Sequence, residues 1–314
     1  MFGKTPKYWP LVFVIAALLV AAVVVWAENP DRADFDLQGH RGVMSQLPEN
    51  TLPAFVRALE LGVTTLEMDV VLTRDNEVVV SHEPWFSAEI CSHPDGRPVT
   101  EDEQHGLNIF TMNYAEAASF DCGSRGNPRF PGQAAMKVSK PLLREVLTII
   151  EAHEVASRPM PIRYNIEIKS RPSRDRLNYN SIEEYAQSLY DVLTSHGVLA
   201  RTAVQSFDPR SLEAMKRIDP GVELVLLVDN TDGFSENLGH LSFKPEIYSP
   251  YFELVDQALV DQAHELGIRV IPWTVNDEDR MRELISMGID GLITDFPGRA
   301  QAVLSGDSDQ SLPE

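Results

Sequence analysis

The chain has 314 residues, 43% of them hydrophobic and 24% charged, the proportions of a globular protein and not of a disordered or fibrous one. A formal net charge of −20 sets it against nucleic acid, whose phosphate backbone repels a net anion, and obliges any phosphate-binding site to supply its own local positive charge. The length suits one large α/β domain or two smaller ones.

Lys4 and Lys7 precede an unbroken apolar run from Leu11 to Trp26, and the chain turns acidic at Glu28. This is the layout of a signal peptide cleaved after Ala27, or of a short membrane anchor flanked by the interfacial aromatics Tyr8, Trp9 and Trp26. Residues 1–27 are set aside from the fold in both readings. In both, the lysines stay on the cytoplasmic side, so the remainder is expected outside the cytoplasm, periplasmic or extracytoplasmic. A retained anchor would give membrane association through residues 11–26.

From Phe35 onward, short β-branched runs alternate with amphipathic helices, the signature of a parallel α/β sheet. Strands are expected at Phe35–Gly39, Thr65–Leu72, Tyr164–Lys169, Ala203–Phe207, Glu223–Val228, Glu246–Ser249, Arg269–Thr274 and Gly291–Thr294. The run Glu77–Ser81 is extra. It follows the second strand after only Thr73-Arg74-Asp75-Asn76, too short for a parallel crossover, so the two should form an antiparallel hairpin. Helices are expected over Thr51–Leu61, Ser181–His196, Asp208–Ile218, 253–266 and Asp277–Met287, with a further one starting near Ser139-Lys140-Pro141. Four joins read helix–Gly–β-branched residue: Gly62-Val63, Gly197-Val198, Gly267-Ile268 and Gly288-Ile289. The expected architecture is a (β/α)₈ barrel of the TIM type over about residues 35–303, with one added hairpin strand. Residues 83–138 break the repeat and read as an insertion over one end of the barrel. They contain both cysteines, Cys91 and Cys122, whose loop-like flanks favour a disulfide over two free thiols. The tail, 304–314, is expected to be disordered.

Barrel chemistry sits at the carboxyl ends of the strands. Gly39-His40-Arg41-Gly42 ends the first strand and, alone, reads as a tight turn with a solvated histidine. On the second strand, Glu67 and Asp69 share a face opposite Leu66, Met68 and Val70. In the segment 164–169, Asn165, Glu167 and Lys169 share a face opposite Ile166 and Ile168, where an ion pair of Glu167 with Lys169 or Arg163 is the alternative reading. Buried anions are costly unless paired or metal-bound. Three hard oxygen ligands, Glu67, Asp69 and Glu167, suit Mg²⁺ or Ca²⁺ better than zinc. Arg41 and Lys169 can add phosphate contacts. The hairpin returns His82 beside the carboxylates, where His40 and His82 form a credible general acid–base pair. Trp273, at the same mouth, serves equally well as a substrate-packing or a core residue.

These residues, in this order, resemble the glycerophosphodiester phosphodiesterase family. The resemblance runs through Gly39-His40-Arg41-Gly42, Pro48-Glu49-Asn50-Thr51, Glu67-Met68-Asp69-Val70, Thr73-Arg74-Asp75 and Val80-Ser81-His82, then Asn165-Ile166-Glu167-Ile168-Lys169, Gln205-Ser206-Phe207, Trp273-Thr274-Val275-Asn276 and Thr294-Asp295. It implies a barrel, a divalent cation on Glu67, Asp69 and Glu167, acid–base roles for His40 and His82, and hydrolysis of a small-molecule glycerophosphodiester to an alcohol and glycerol 3-phosphate. Where the family usually has Asp after the second histidine, this chain has Glu83-Pro84, which puts the local loop geometry in question. The competing expectations are lysophospholipase D activity on lysolipids, a metal-independent phospholipase C on a related barrel, and an inactive envelope binding module.

Overall fold

The computed structural model describes residues 35–154 and 161–306, so the N-terminal apolar run and the tail beyond residue 306 lie outside the described residues. The strands are β1 (Asp36–Gly39), β2 (Thr65–Leu72), β3 (Val78–Val80), β4 (Arg163–Ile168), β5 (Thr202–Ser206), β6 (Glu223–Val228), β7 (Ile247–Pro250), β8 (Arg269–Val270) and β9 (Gly291–Thr294). All but β3 are parallel, in the order β8-β7-β6-β5-β4-β2-β1-β9. Hydrogen bonds from Asp290 N–H to Val270 C=O (3.0 Å) and from Ile293 N–H to Pro272 C=O (2.9 Å) tie β9 to β8 and the residues after it. The result is the expected eight-stranded α/β barrel. The strand anticipated over 269–274 is regular only at Arg269–Val270. Pro272 has no N–H to donate, although Trp273 N–H still reaches Pro250 C=O at 3.1 Å.

The added strand is antiparallel as expected: Val70 pairs with Val80, Val71 with Val79 and Leu72 with Val78. Around the barrel lie α1 (Leu52–Glu60), α2 (Leu143–Glu154), α3 (Ile182–Ser195), α4 (Pro209–Ile218), α5 (Phe234–Leu238), α6 (Gln257–Glu265), α7 (Glu278–Ser286) and α8 (Pro297–Ser305). The longer ones turn apolar residues inward. α1 buries Ala54, Phe55, Ala58 and Leu59, and α3 buries Tyr185, Leu189 and Leu193, at roughly 1.5–3 kcal/mol per large side chain. All four glycines of the helix–strand joins have positive φ, between 66° and 85°, the conformation that ends a helix at low cost. α5 and α8 have no counterpart among the expected helices. α5 is five residues long and α8 opens without a side-chain cap. α8 runs to Ser305, two residues past the expected boundary at 303.

Side chains pointing into the barrel divide it into two arcs. β1, β2, β4 and β5 contribute Gln38, Glu67, Asn165, Glu167 and Gln205, all buried. The opposite arc is apolar: Val225, Ile247, Ile271 and Ile293 pack with Ala203 and, partly buried, Trp273. The insertion contains only short helical turns (Glu101–Gln104, Ile109–Thr111, Tyr114–Ala117). Its small core of Phe86, Ile90, Val99, Ile109 and Phe120 continues onto Val71 and Val79 of the hairpin. Cys91 and Cys122 are joined in a disulfide inside that core, the favoured of the two expectations.

Candidate active site

The β2–β4 register pairs Asp69 with Glu167 and Glu67 with Asn165, which puts the three acids on adjoining strands and one face. One carboxylate oxygen from each lies within 4.8 Å of the other two, and all three side chains are buried. Burial, with Asp69 nearby, pushes the Glu67 carboxyl well above its ordinary range. Burial likewise raises Glu167 to about 7, against the opposing pull of Lys169. Asp69 goes the other way: burial is outweighed by Lys169, His82 and Arg41, which hold it well below the usual carboxylate range. The cluster carries more negative charge than its own surroundings neutralise, and its donors are hard oxygens. Those residues fit a Ca²⁺- or Mg²⁺-sized cation.

Neutral and cationic groups hold the acids in place. Arg41 N–H donates to Glu67 Oε2 at 2.8 Å and Gln205 Nε2 to Glu67 Oε1 at 2.8 Å. Asn50 Nδ2 donates to Asp69 Oδ2 at 2.8 Å. Lys169 Nζ lies 2.9 Å from Glu167 Oε1 and 3.4 Å from Asp69 Oδ1. The anticipated Glu167–Lys169 pair therefore exists, while Arg163 turns to Glu223 at the other end of the barrel (2.7 Å). Asp69, which has no basic neighbour along its own strand, receives Lys169 and also Arg41, whose Nε approaches Oδ2 at 3.3 Å.

The turn that delivers Arg41 depends on the backbone. Arg41 and Gly42 both have positive φ (53° and 88°), and Gly42 N–H closes onto Gly39 C=O at 3.1 Å. A Cβ at Gly42 would stand 2.7 Å from the carbonyl carbon of Ala54, so only glycine fits. The turn leaves the Arg41 amide aimed at Glu67 and its guanidinium bonded to Glu49 (2.9 Å).

Both histidines are present at the site, each with an acid on Nδ1. His40 Nδ1 lies 2.6 Å from Asp295 Oδ1, and Asn276 Nδ2 holds the other oxygen of that acid at 2.7 Å. His82 Nδ1 lies 2.8 Å from Glu83 Oε1, so the departure from the family's usual Asp still leaves a carboxylate on this ring. Burial, with Arg41 and Lys169 adding to it, lowers the His82 pKa to about 4.

A cavity of about 240 Å³ is lined by His40, Arg41, Glu67, His82, Glu167 and Lys169 on one side and by Phe207, Leu227, Trp273 and Ile293 on another. Trp273 is partly buried against the apolar arc. It lines this cavity, while its Nε1 donates to Ser249 C=O at 3.1 Å and Phe207 meets it edge-on at 5.3 Å. Sequence reasoning gave no role to Glu49, Asn50, Gln205, Asn276 or Asp295, although each falls in a segment that carries the family resemblance. It missed Arg129 and Arg171 altogether. They line the same cavity from the insertion and from the loop after β4, and neither is ion-paired among the described residues. A smaller recess of about 110 Å³ adjoins His82, lined also by Glu49, Glu83, Glu89, Arg129 and the buried Lys140.

The family model described as "Glycerophosphoryl diester phosphodiesterase family" matches residues 40–299. The chain belongs to this family. A glycerophosphodiester phosphodiesterase from Caldanaerobacter subterraneus subsp. tengcongensis is 31% identical over 260 residues, covering 82% of this chain and 93% of the relative. A human lysophospholipase D is 27% identical over 84% of each chain. Among solved structures, a Silicibacter pomeroyi protein provisionally described as a glycerophosphoryl diester phosphodiesterase superposes with a TM-score of 0.77 at 29% identity, covering 87% of this chain and 93% of that one. As a member of this family the protein is an enzyme, a phosphoric diester hydrolase acting on glycerophosphodiesters.

Proposed function

We propose that the enzyme hydrolyses small glycerophosphodiesters to an alcohol and glycerol 3-phosphate, with a divalent cation, Ca²⁺ or Mg²⁺, on Glu67, Asp69 and Glu167 and with His40 and His82 moving the protons. One observation carries this reading: three buried carboxylates converge within 4.8 Å beside two histidines, each held at Nδ1 by an acid. A bound cation would supply positive charge to the phosphate inside an otherwise acidic protein. Asp295 and Glu83 fix their rings through Nδ1, which leaves Nε2 of each histidine for proton transfer. His82, neutral at ordinary pH, is the group ready to accept a proton. His40, its ring held at Nδ1 by Asp295, is placed to donate to the departing oxygen. Arg41 and Lys169 orient the phosphate from the wall they share with the carboxylates, and the Phe207–Trp273 wall receives the carbon skeleton.

The test is release of glycerol 3-phosphate from glycerophosphocholine by the purified protein, with each cation and with EDTA. His40→Ala and His82→Ala should each abolish turnover in folded protein, and activity that survives EDTA or Glu67→Ala would sink the cation assignment. The apolar wall of the cavity and the human lysophospholipase D relative favour a second reading, action on lysolipids. Parallel assays on a lysolipid and on its deacylated diester separate the two.

The N-terminal lysines and apolar run, together with the Cys91–Cys122 disulfide, support a working place outside the cytoplasm. Fractionation of cells expressing the full chain tests this; activity recovered only from cytosol would refute it.

A further inference from the structure

Below the carboxylates, the polar arc of the barrel holds a hydrogen-bonded chain of amides that the proposed reaction does not itself use. Gln38, Asn165 and Gln205 are each 1% exposed. Asn165 Nδ2 lies between two carbonyl oxygens, donating to Gln38 Oε1 at 2.8 Å and to Gln205 Oε1 at 3.0 Å. Each glutamine then turns its nitrogen outward onto an acid. Gln38 Nε2 donates to Asp36 Oδ2 at 2.9 Å, and Gln205 Nε2 donates to Glu67 Oε1 at 2.8 Å.

The polarity of this chain follows from donor and acceptor counting. Carboxylates accept, an amide nitrogen has two hydrogens to give, and an amide oxygen has none. Reversing Asn165 would set its oxygen against both glutamine oxygens. Turning the glutamines to relieve that clash would set their oxygens against Asp36 and Glu67. The observed orientation avoids every such contact at the expense of a single atom: Asn165 Oδ1 is buried without a partner. An unmet buried acceptor costs stability, so Asn165 is held by what its NH₂ group does and not by its oxygen.

We propose that Asn165 is a positioning residue for Glu67, acting through the side-chain amide of Gln205. By donating to Gln205 Oε1, Asn165 keeps the N–H side of that amide on Glu67 Oε1. Arg41 N–H occupies Oε2, so each oxygen of Glu67 is fixed by one donor and keeps lone pairs for a cation. The inference rests on the cation reading of the carboxylate cluster given above.

Calorimetric titration of Ca²⁺ and of Mg²⁺ into the full chain tests it, with circular dichroism as the check on folding. Asn165→Ser and Gln205→Leu should each weaken cation binding by about tenfold. In a Gln205→Leu background, Asn165→Ser should change the affinity by less than about twofold, because its route to Glu67 is already cut. Should Asn165→Ser fail to fold, the isosteric Asn165→Asp takes its place. Its two oxygens draw N–H groups from both glutamines and leave Gln205 Oε1 facing Glu67, so binding should weaken, whereas added negative charge alone would tighten it. Wild-type affinity in Asn165→Ser, multiplied losses in the double variant, or tighter binding in Asn165→Asp would each overturn the inference. A wild-type protein that binds neither cation would overturn the cation reading, and this inference with it.

Discussion

Asn50 and Asp69 hold one another twice: Asn50 Nδ2 donates to Asp69 Oδ2 at 2.8 Å, and the Asp69 backbone N–H returns to Asn50 Oδ1 at 3.3 Å. Asn50 does this from a left-handed backbone conformation (φ 57°), which asparagine tolerates better than most residues. Asn50→Ala should lower unfolding stability by about 2 kcal/mol, the scale of a hydrogen bond to a charged group. It should also weaken cation binding by about tenfold. Asn50→Gly accepts the same backbone but lacks the amide, so its stability loss should be smaller and its cation loss equal. Urea melts and calorimetry decide, and wild-type cation affinity in Asn50→Gly would exclude this role.

The mutual repulsion within the carboxylate cluster predicts that a divalent cation stabilises the fold. At a free concentration near 100 times Kd the gain is about 2.7 kcal/mol, seen as a rise in Tm that EDTA reverses. Glu67→Gln relieves part of the repulsion that burial and Asp69 impose on Glu67, so the cation-free variant should melt no lower than wild type. Its response to added cation should shrink sharply. An equal Tm shift in both proteins would place the cation elsewhere.

For His82 the sign of the pH dependence follows from burial. The folded protein lowers its pKa from 6.5 to about 4. Between those values the unfolded chain takes up a proton that the folded state refuses, so this residue costs stability as pH falls from 6.5 to 4 and costs nothing above 6.5. In the presence of EDTA, the stability of His82→Gln relative to wild type should rise as pH is lowered through that window. Urea melts at several pH values across it provide the measurement, and a flat difference would show that the ring is not held neutral.

The disulfide makes a separate prediction. Cys91 and Cys122 are 31 residues apart and sit in the core that joins the insertion to the β2–β3 hairpin. Replacing both with alanine should cost about 2–4 kcal/mol. Because Arg129 lines the cavity from within the same insertion, KM should rise more than kcat falls. Thermal melts with and without reductant, alongside steady-state kinetics, test both halves.

Much of this was legible in the chain because barrel strands alternate strictly. Glu67 and Asp69, or Asn165 and Glu167, could be assigned a common face from spacing alone, and the four-residue link before Glu77 forced the antiparallel hairpin that carries His82. Partners contributed by other elements were not legible. Asp295 reaches His40 across 255 positions, Lys169 and Arg41 come to Asp69 from β4's end and the first turn, and Arg129 enters from an insertion with no periodic pattern. Those meetings are products of closure, which local spacing does not encode. The shortened β8 has a different origin: one proline removed a donor from an otherwise good strand pattern.

The division of the barrel interior into a charged arc and an oily one bears on how such an enzyme can change over generations. The residues proposed to cut the phosphodiester hang from β1, β2, the hairpin and β4, while Leu227, Trp273 and Ile293, on the wall proposed to receive the carbon skeleton, come from β6, the segment after β8, and β9. Inherited substitutions on the oily side can therefore widen, narrow or reshape the range of alcohols admitted without disturbing the ionic side. Diversification of diet and retention of chemistry become, in this fold, separately adjustable traits.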